Sequence, residues 1–421
     1  MIKRLVLRGP VKATVARAIG GLSQVKALQT ELASAHERAV ALEAEAKRLR
    51  QQMAGRPADS ASPTILVTPG DAAAEAEHRA VRVFAGLEPP PSRAAAPVTC
   101  RMAEGLYIQA DGSLPCYCSA GITRKLGQVD GAELMEFYRG PTMTALRAHL
   151  AQGVFPWPEC EGCHVKSTEA KTPPALLPEA ISVIHVEPTS ICNLRCPGCR
   201  ATDVMEGREP RRRAFLPFDK FKAMVDSIDR PVRLIGFCGY GEPLLNPELP
   251  KMIAYAKARI PGVSCSIDTN ANIRRIDAAE LIASGVNLIR FALDGAFQEN
   301  YVQYRRRGNI ELALRFVRAV AAERDRQQAK TKLVWKYVIF DHASSAEELE
   351  HAIRFCGEVG IGFDYSRAAG VLPGADNRDE LVPRIEALLR RYGVGDFVGG
   401  DLRHSDRAAI GQEDAWKFAS P

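Results

Sequence analysis

The stretch Ile181-Ser-Val-Ile-His-Val-Glu-Pro-Thr-Ser-Ile-Cys192-Asn-Leu-Arg-Cys196-Pro-Gly-Cys199 joins a short apolar run to three closely spaced thiols. Residues 181–188 read as a buried strand, and four similar runs follow: VRLIGFCG at 232–239, GVSCSID at 262–268, NLIRFALDG at 287–295 and KLVWKYVIF at 332–340. Helical patterns separate them at Asp219 to Ile228, Pro247 to Arg259, Ala278 to Ser284, Ile310 to Gln327 and Ala346 to Gly357. Strand-helix alternation predicts an α/β fold with a parallel sheet under covering helices, either open or closed into a full or partial barrel. In such folds, functional residues gather at the carboxyl ends of the strands. The three thiols fall at the first of those ends.

Cysteine usage separates this chain from an ordinary α/β protein. Eight of its eleven cysteines lie between Cys100 and Cys199. In a reducing compartment such clustering points to metal ligation or redox chemistry, because disulfide frameworks belong mainly to small secreted domains. The C-x3-C-x2-C spacing of Cys192, Cys196 and Cys199 supplies three thiolates, whereas structural zinc and ferredoxin clusters are usually closed by four protein ligands. Three thiols at the mouth of a sheet suit an iron-sulfur cluster with one iron left open. A zinc site borrowing Cys238 and plain reduced thiols are the alternatives.

The loop resembles the cluster loop of the radical S-adenosylmethionine (SAM) superfamily, and later segments are similar to that family's motifs in the same order. Gly239-Tyr240-Gly241-Glu242-Pro243 resembles a glycine-glutamate turn whose backbone and carboxylate receive the SAM amino group. Thr269-Asn270-Ala271 is similar to a Thr-Asn-Gly strand end. Ala292-Leu-Asp294-Gly295 is similar to a Ser-x-Asp-Gly end that helps hold the ribose, with Ala292 where a hydroxyl is common. Arg305 matches an arginine that in some members pairs with the SAM carboxylate, although Arg305, Arg306 and Arg307 also read as a solvated run. Gly198 stands where many members carry an aromatic residue. The resemblance covers about Val183 to Tyr365 and implies a partial (β/α)6-type barrel. It further implies a 4Fe-4S cluster on Cys192, Cys196 and Cys199, SAM on the open iron, and a 5'-deoxyadenosyl radical that removes hydrogen from a C–H bond.

Cys100, Cys116, Cys160 and Cys163 resemble the auxiliary-cluster module called SPASM, or its shorter twitch form, here preceding the barrel. The resemblance implies a second 4Fe-4S cluster. Four cysteines are also a common zinc set, and Cys118 is a spare or competing ligand. The segment around residues 107–118 reads as a strand, an Asp-Gly turn and a second strand, and Ala132 to Leu150 reads as helical. Among single residues, Cys265 is expected to pack under the helices. Cys238 reads as a small core residue or, less naturally, a hydrogen donor, and Cys356 and His185 as structural. Asp268 and Asp294 read as ligands or turn-capping carboxylates.

The remaining sequence frames these parts. From Val25 to Met53 apolar residues recur at heptad spacing with charged flanks, a coiled-coil seam or a solvated single helix. The expected organisation is 1–56 helical, 57–98 a Pro-rich linker, 99–170 the Cys-rich module, 180–368 the barrel, and 369–421 a helix and tail. Its 421 residues, 46% hydrophobic and 25% charged, allow a sizeable core, and the excess of 56 basic over 50 acidic residues is too mild and dispersed to predict nucleic acid as partner. No apolar run approaches the ~20 residues of a membrane span. The basic N-terminus is broken by Lys3, Arg4 and Arg8, so it does not read as a secretory segment, and the cytoplasm is expected. The expected function is dehydrogenation or epimerisation of a sugar-like or other small molecule, with peptide modification as the alternative. A flavodoxin or ferredoxin is the implied electron donor, and the N-terminal helix offers a homodimer contact. A zinc-bound scaffold without catalysis is the reading from another class.

Overall fold

Short extended pieces come first in the chain: β1 (Thr99–Cys100), β2 (Gly105–Ile108), β3 (Ser113–Pro115) and β4 (Lys125–Gln128). Two helices follow, α1 (Leu134–Arg139) and α2 (Pro141–Ala151), then β5 (Lys166–Ser167). The single helix expected over 132–150 is split because Pro141 disfavours helical backbone at the residue before it, and Gly140 is extended at φ −67°, ψ 173°. The computed structural model describes residues 96–116, 124–160, 163, 166–167, 173–208, 213–367 and 378–395. The heptad helix, most of the linker, Cys118 and the tail beyond 395 lie outside the described residues.

The strand-helix alternation then unfolds as the spacing predicts. Strand β6 (Ile181–Val186) is followed by α3 (Arg200–Met205) and α4 (Phe218–Ser227), β7 (Val232–Phe237), α5 (Leu249–Arg259) and β8 (Ser264–Thr269). Next come α6 (Ala278–Ala283), β9 (Leu288–Ala292), α7 (Gln298–Tyr304), α8 (Ile310–Arg326), β10 (Lys332–Ile339), α9 (Ala346–Val359), β11 (Gly362–Arg367) and α10 (Arg378–Tyr392). Strands β6 to β11 lie side by side in chain order, every pair parallel. Crossover helices are what make neighbouring strands parallel. The result is an α/β fold whose six consecutive strands match a partial barrel.

One strand was not foreseen in this sheet. The turn expected at Asp111-Gly112 forms, with the Gly112 N–H donating to Gln109 O at 2.8 Å, but the strands flanking it part company. β3 pairs antiparallel with β4, whereas β2 joins the edge of the main sheet parallel to β6. All four residues of β2 are buried, so its edge groups are better satisfied by the barrel than by a two-stranded ribbon.

The sheet has two unlike faces. Phe237, Cys265, Ile267, Ile289, Phe291, Trp335, Tyr337 and Phe363 point under the helices into one continuous apolar core. In the alternate positions the register aligns Tyr107, His185, Gly236 and Ser266, then Asp268 with Arg290, and Ala292 with Lys336 and Asp364. These line the concave face. No helix among the described residues is long and apolar enough to cross a membrane.

Candidate functional site

The carboxyl ends of β6, β7 and β8 bring three sequence motifs together. Cys192 lies just past β6, and its sulfur accepts from the Leu194 N–H at 3.4 Å and from Asn270 Nδ2 at 3.8 Å. Asn270 also donates to Asn193 Oδ1 at 2.9 Å, and Asn193 Nδ2 donates to Asn272 O at 2.8 Å. The thiol loop is thus stitched to the end of β8. Its second half forms a turn in which Cys199 N–H and the Thr202 hydroxyl both donate to Cys196 O, at 3.2 and 2.9 Å. Burial pushes the Cys192 thiol up to about 12, with the Glu242 carboxylate and the two neighbouring thiols adding to the rise. The Cys196 thiol is raised chiefly by burial too, against the pull of Arg305. The thiols therefore feel one another, yet no group of three or more His, Cys, Asp or Glu side chains among the described residues has metal-holding geometry. The donor set still suits iron: three soft thiols on one short loop, with N–H groups aimed at sulfur.

Glu242 is the hub on the β7 side. One carboxylate oxygen accepts from the Thr269 hydroxyl at 2.6 Å and from Leu244 N–H at 3.1 Å, and the other accepts from Asn270 N–H at 2.7 Å. Burial pushes its carboxyl up to about 7 against these donors. Three of about four acceptor positions are filled, which leaves room for one outside donor. The preceding glycines are dictated by crowding: a Cβ on Gly241 would stand 2.0 Å from Thr189 O, and one on Gly239 would stand 2.4 Å from Glu187 Cγ. Tyr240 lies under the Arg200 guanidinium, 5.4 Å from the ring centre. Ala271 adopts φ 57°, the left-handed region that glycine enters without strain, so its departure from the Thr-Asn-Gly pattern carries a backbone cost of about 1 kcal/mol.

Asp294 and Arg305 come together in a way the sequence did not foretell. Arg305 leaves the solvated run of arginines, donates through Nε to Asp294 Oδ2 at 2.7 Å, and reaches Cys196 Sγ at 3.9 Å. Asp294, with no solvent exposure, accepts from Val338 N–H at 2.8 Å through its other oxygen. The expected ribose and SAM-carboxylate groups therefore face each other here, because a buried carboxylate demands a cation.

Other single residues also moved from their expected places. His185 and Cys238 sit on the concave face with Nδ1 and Sγ 3.3 Å apart, not in the apolar core. Cys265 and Cys356 are fully buried in that core, as expected. Asp268 is no turn cap: it takes a two-pronged ion pair from Arg290, one contact at 3.1 Å, and is held below its usual range by that guanidinium despite burial. Glu187 was missed. Fully buried, it accepts from Tyr240 N–H at 2.9 Å, Ala110 N–H at 3.2 Å and the Tyr107 hydroxyl at 3.4 Å, linking β2 to the glycine turn. A carboxylate ending an otherwise apolar buried strand was the available signal.

The second set of thiols is spread over several elements. The β1–β5 pairing sets Cys100 opposite Lys166. Burial pushes the Cys100 thiol up to about 11, and the Cys160 and Cys163 thiols add to the rise, so these three share one neighbourhood. Cys163 N–H donates to Cys160 O at 3.2 Å, and Cys116, at the end of β3, donates its N–H to Arg124 O at 2.6 Å.

Comparison with known proteins bears on the barrel half. Residues 186–331 match the family model described as the Radical SAM superfamily. A GTP 3',8-cyclase of Chlorobaculum tepidum is 31% identical over 134 residues, covering 31% of this chain and 38% of the relative. Mycofactocin maturase MftC of Mycolicibacterium smegmatis is 26% identical over 206 residues, 49% of each chain. A radical SAM methyltransferase structure from Sphaerobacter thermophilus aligns with a TM-score of 0.39 at 16% identity, over 52% of this chain and 66% of that one. The chain thus spans between about two fifths and half the length of these two curated relatives. The similarity to the Radical SAM superfamily thus lies in residues 186–331, the part of the chain that carries the thiol loop, the glycine turn and the ends of β8 and β9.

Proposed function

We propose that this chain is a radical SAM enzyme that abstracts hydrogen from a C–H bond of a sugar-like or other small molecule, leading to dehydrogenation or epimerisation. In this reading Cys192, Cys196 and Cys199 hold a 4Fe-4S cluster. Gly239, Tyr240, Gly241, Glu242, Thr269, Asn270, Asp294 and Arg305 form the SAM site. A reduced cluster supplies the electron that cleaves SAM, giving a 5'-deoxyadenosyl radical as the hydrogen-abstracting agent. The protein's own part is binding and exclusion. Glu242 offers its open acceptor position to an ammonium, the strand ends at Thr269 and Asn270 hold that carboxylate rigid, and Arg305 lays positive charge beside the Cys196 sulfur. The observation that carries the reading is the convergence of Cys192, Glu242 and Asn270 at one end of the parallel sheet.

A second 4Fe-4S cluster on Cys100, Cys116, Cys160 and Cys163 belongs to the same proposal, as does a flavodoxin- or ferredoxin-type donor. The match to a mycofactocin maturase over half of each chain favours peptide modification as the second reading. The test is an iron and sulfide count on anaerobically reconstituted protein, with 5'-deoxyadenosine measured after SAM and reductant are added. About eight irons per chain and release of deoxyadenosine are expected, with Cys196→Ser losing about four irons and all release. About four irons in the parent protein would remove the second cluster, and no iron with no cleavage would overturn the enzyme reading.

A further inference from the structure

We propose that the concave face of the sheet binds an anionic group of the substrate, a carboxylate or a phosphate, through Lys336; this deepens the radical SAM reading above and rests on it. Lys336 lies in β10 between Trp335 and Tyr337, which are both fully buried under the helices, so alternation turns its side chain to the opposite, concave face. The register sets it beside Ala292 on one side and Asp364 on the other. It is close enough to Asp268 and Cys238 for its charge to act on both.

Its charge sets it apart from the other cations of this region. Arg290 is held by both oxygens of Asp268, and Arg305 is paired with Asp294. The Lys336 ammonium is half-buried, and among the described residues no hydrogen bond or ion pair to it is found. Withdrawing an ammonium from water without a partner is unfavourable, and an arriving anion removes that penalty. A lysine is a point charge on a flexible stem, so it accepts either oxyanion, whereas a fixed guanidinium fork would favour two-pronged partners. The location fits a substrate group. Lys336 shares its register position with Ala292, two residues before the Asp294 that pairs with Arg305 beside the thiol loop, and the same face carries His185, Cys238 and the Asp268–Arg290 pair.

The experiment uses the anaerobically reconstituted full chain with SAM present, titrated calorimetrically with inorganic pyrophosphate and, separately, with succinate. One of the two is expected to bind with one-to-one stoichiometry, and which one does so separates a phosphorylated from a carboxylic substrate. Lys336→Met is expected to weaken that binding by about tenfold or more, and Lys336→Arg to retain most of it. Melting temperatures of both variants report whether folding is affected. Three results would overturn the proposal: neither probe binds, Lys336→Met binds as tightly as the parent, or Lys336→Met loses SAM affinity by the same factor, which would make Lys336 a ligand of the SAM carboxylate. Absence of deoxyadenosine from the parent protein would instead sink the underlying radical SAM reading, independently of either titration.

Discussion

The two faces of the seven-stranded sheet are made from the same strands, yet one is dry hydrocarbon and aromatic packing and the other a lattice of charges. Under the helices, Trp335 stacks edge-on against Phe355 at 5.6 Å between ring centres and lies alongside Tyr337 and Phe363. On the concave side, the matching positions hold His185, Asp268, Arg290, Lys336 and Asp364. Parallel strands covered on both sides usually read as continuous apolar runs. A charged inner face is therefore not a packing solution, and the difference teaches which side the chain reserves for chemistry. Changes to the outer face should act on stability, and changes to the inner face on ligand binding and its pH dependence.

The strongest attack on that division is Trp335→Ala. Removing a fully buried indole leaves a cavity among Tyr337, Phe355 and Phe363, and a loss of about 3–5 kcal/mol in denaturant unfolding is expected. In whatever protein remains folded, SAM affinity should stay near the parent value. A large loss of SAM affinity with little loss of stability would show that the two faces are not separable.

How much of this was readable beforehand follows the range of the contacts. The strands, their helices and the Cys192–Cys199 loop are local patterns, and the alternation implies parallel pairing, but the chain order of β6 to β11 came only with the structure, because crossovers alone allow an open, reordered sheet as well as a barrel. The glycine turn was readable because Gly239 and Gly241 sit in one short segment, although the backbone of Thr189 and the side chain of Glu187 that forbid a Cβ there could not be named in advance. Long-range choices were not readable. Nothing near Asp111 says that β2 will leave its turn partner for β6, and although the resemblance sets Arg305 apart from its run, nothing local says that it will turn inward to Asp294. His185 was read as structural with no face assigned to it, because a strand pattern alone does not say which face a single polar residue takes. Only the register with Gly236 and the contact to Cys238 reveal the inner face.

The inner face also makes a pH prediction that the outer face cannot. Burial, with Arg101 and Arg290 nearby, lowers His185 from 6.5 to about 4. Above pH 6.5 the imidazole is neutral in both folded and unfolded chains and contributes nothing to pH dependence. As pH falls through 6.5, the unfolded chain takes up a proton that the folded chain refuses, so stability is lost until about pH 4, on the order of 3 kcal/mol in all. His185→Gln should flatten that slope in unfolding free energies measured across the window. An equally steep slope in the variant would mean that His185 is hydrated on the inner face rather than buried there.

A finer test concerns Glu187, which sits where the inner face meets the glycine turn and where the N-terminal segment touches both. Its two oxygens receive Tyr240 N–H and the Tyr107 hydroxyl on one side and Ala110 N–H on the other. Glu187→Gln keeps the shape but replaces one acceptor with an NH2 group, so whichever way the amide turns, one backbone N–H meets a donor. An unsatisfied buried donor costs about 1–3 kcal/mol, and because one of the two candidates is the N–H of Tyr240 inside the turn, SAM affinity should fall about tenfold. Tyr107→Phe removes only the 3.4 Å contact and should change SAM affinity by no more than about threefold. If Glu187→Gln lowers the melting temperature but leaves SAM affinity intact, the amide has turned its donor toward Ala110. Glu187 then braces the edge strand rather than the turn, and β2 is joined to the barrel without being coupled to its site.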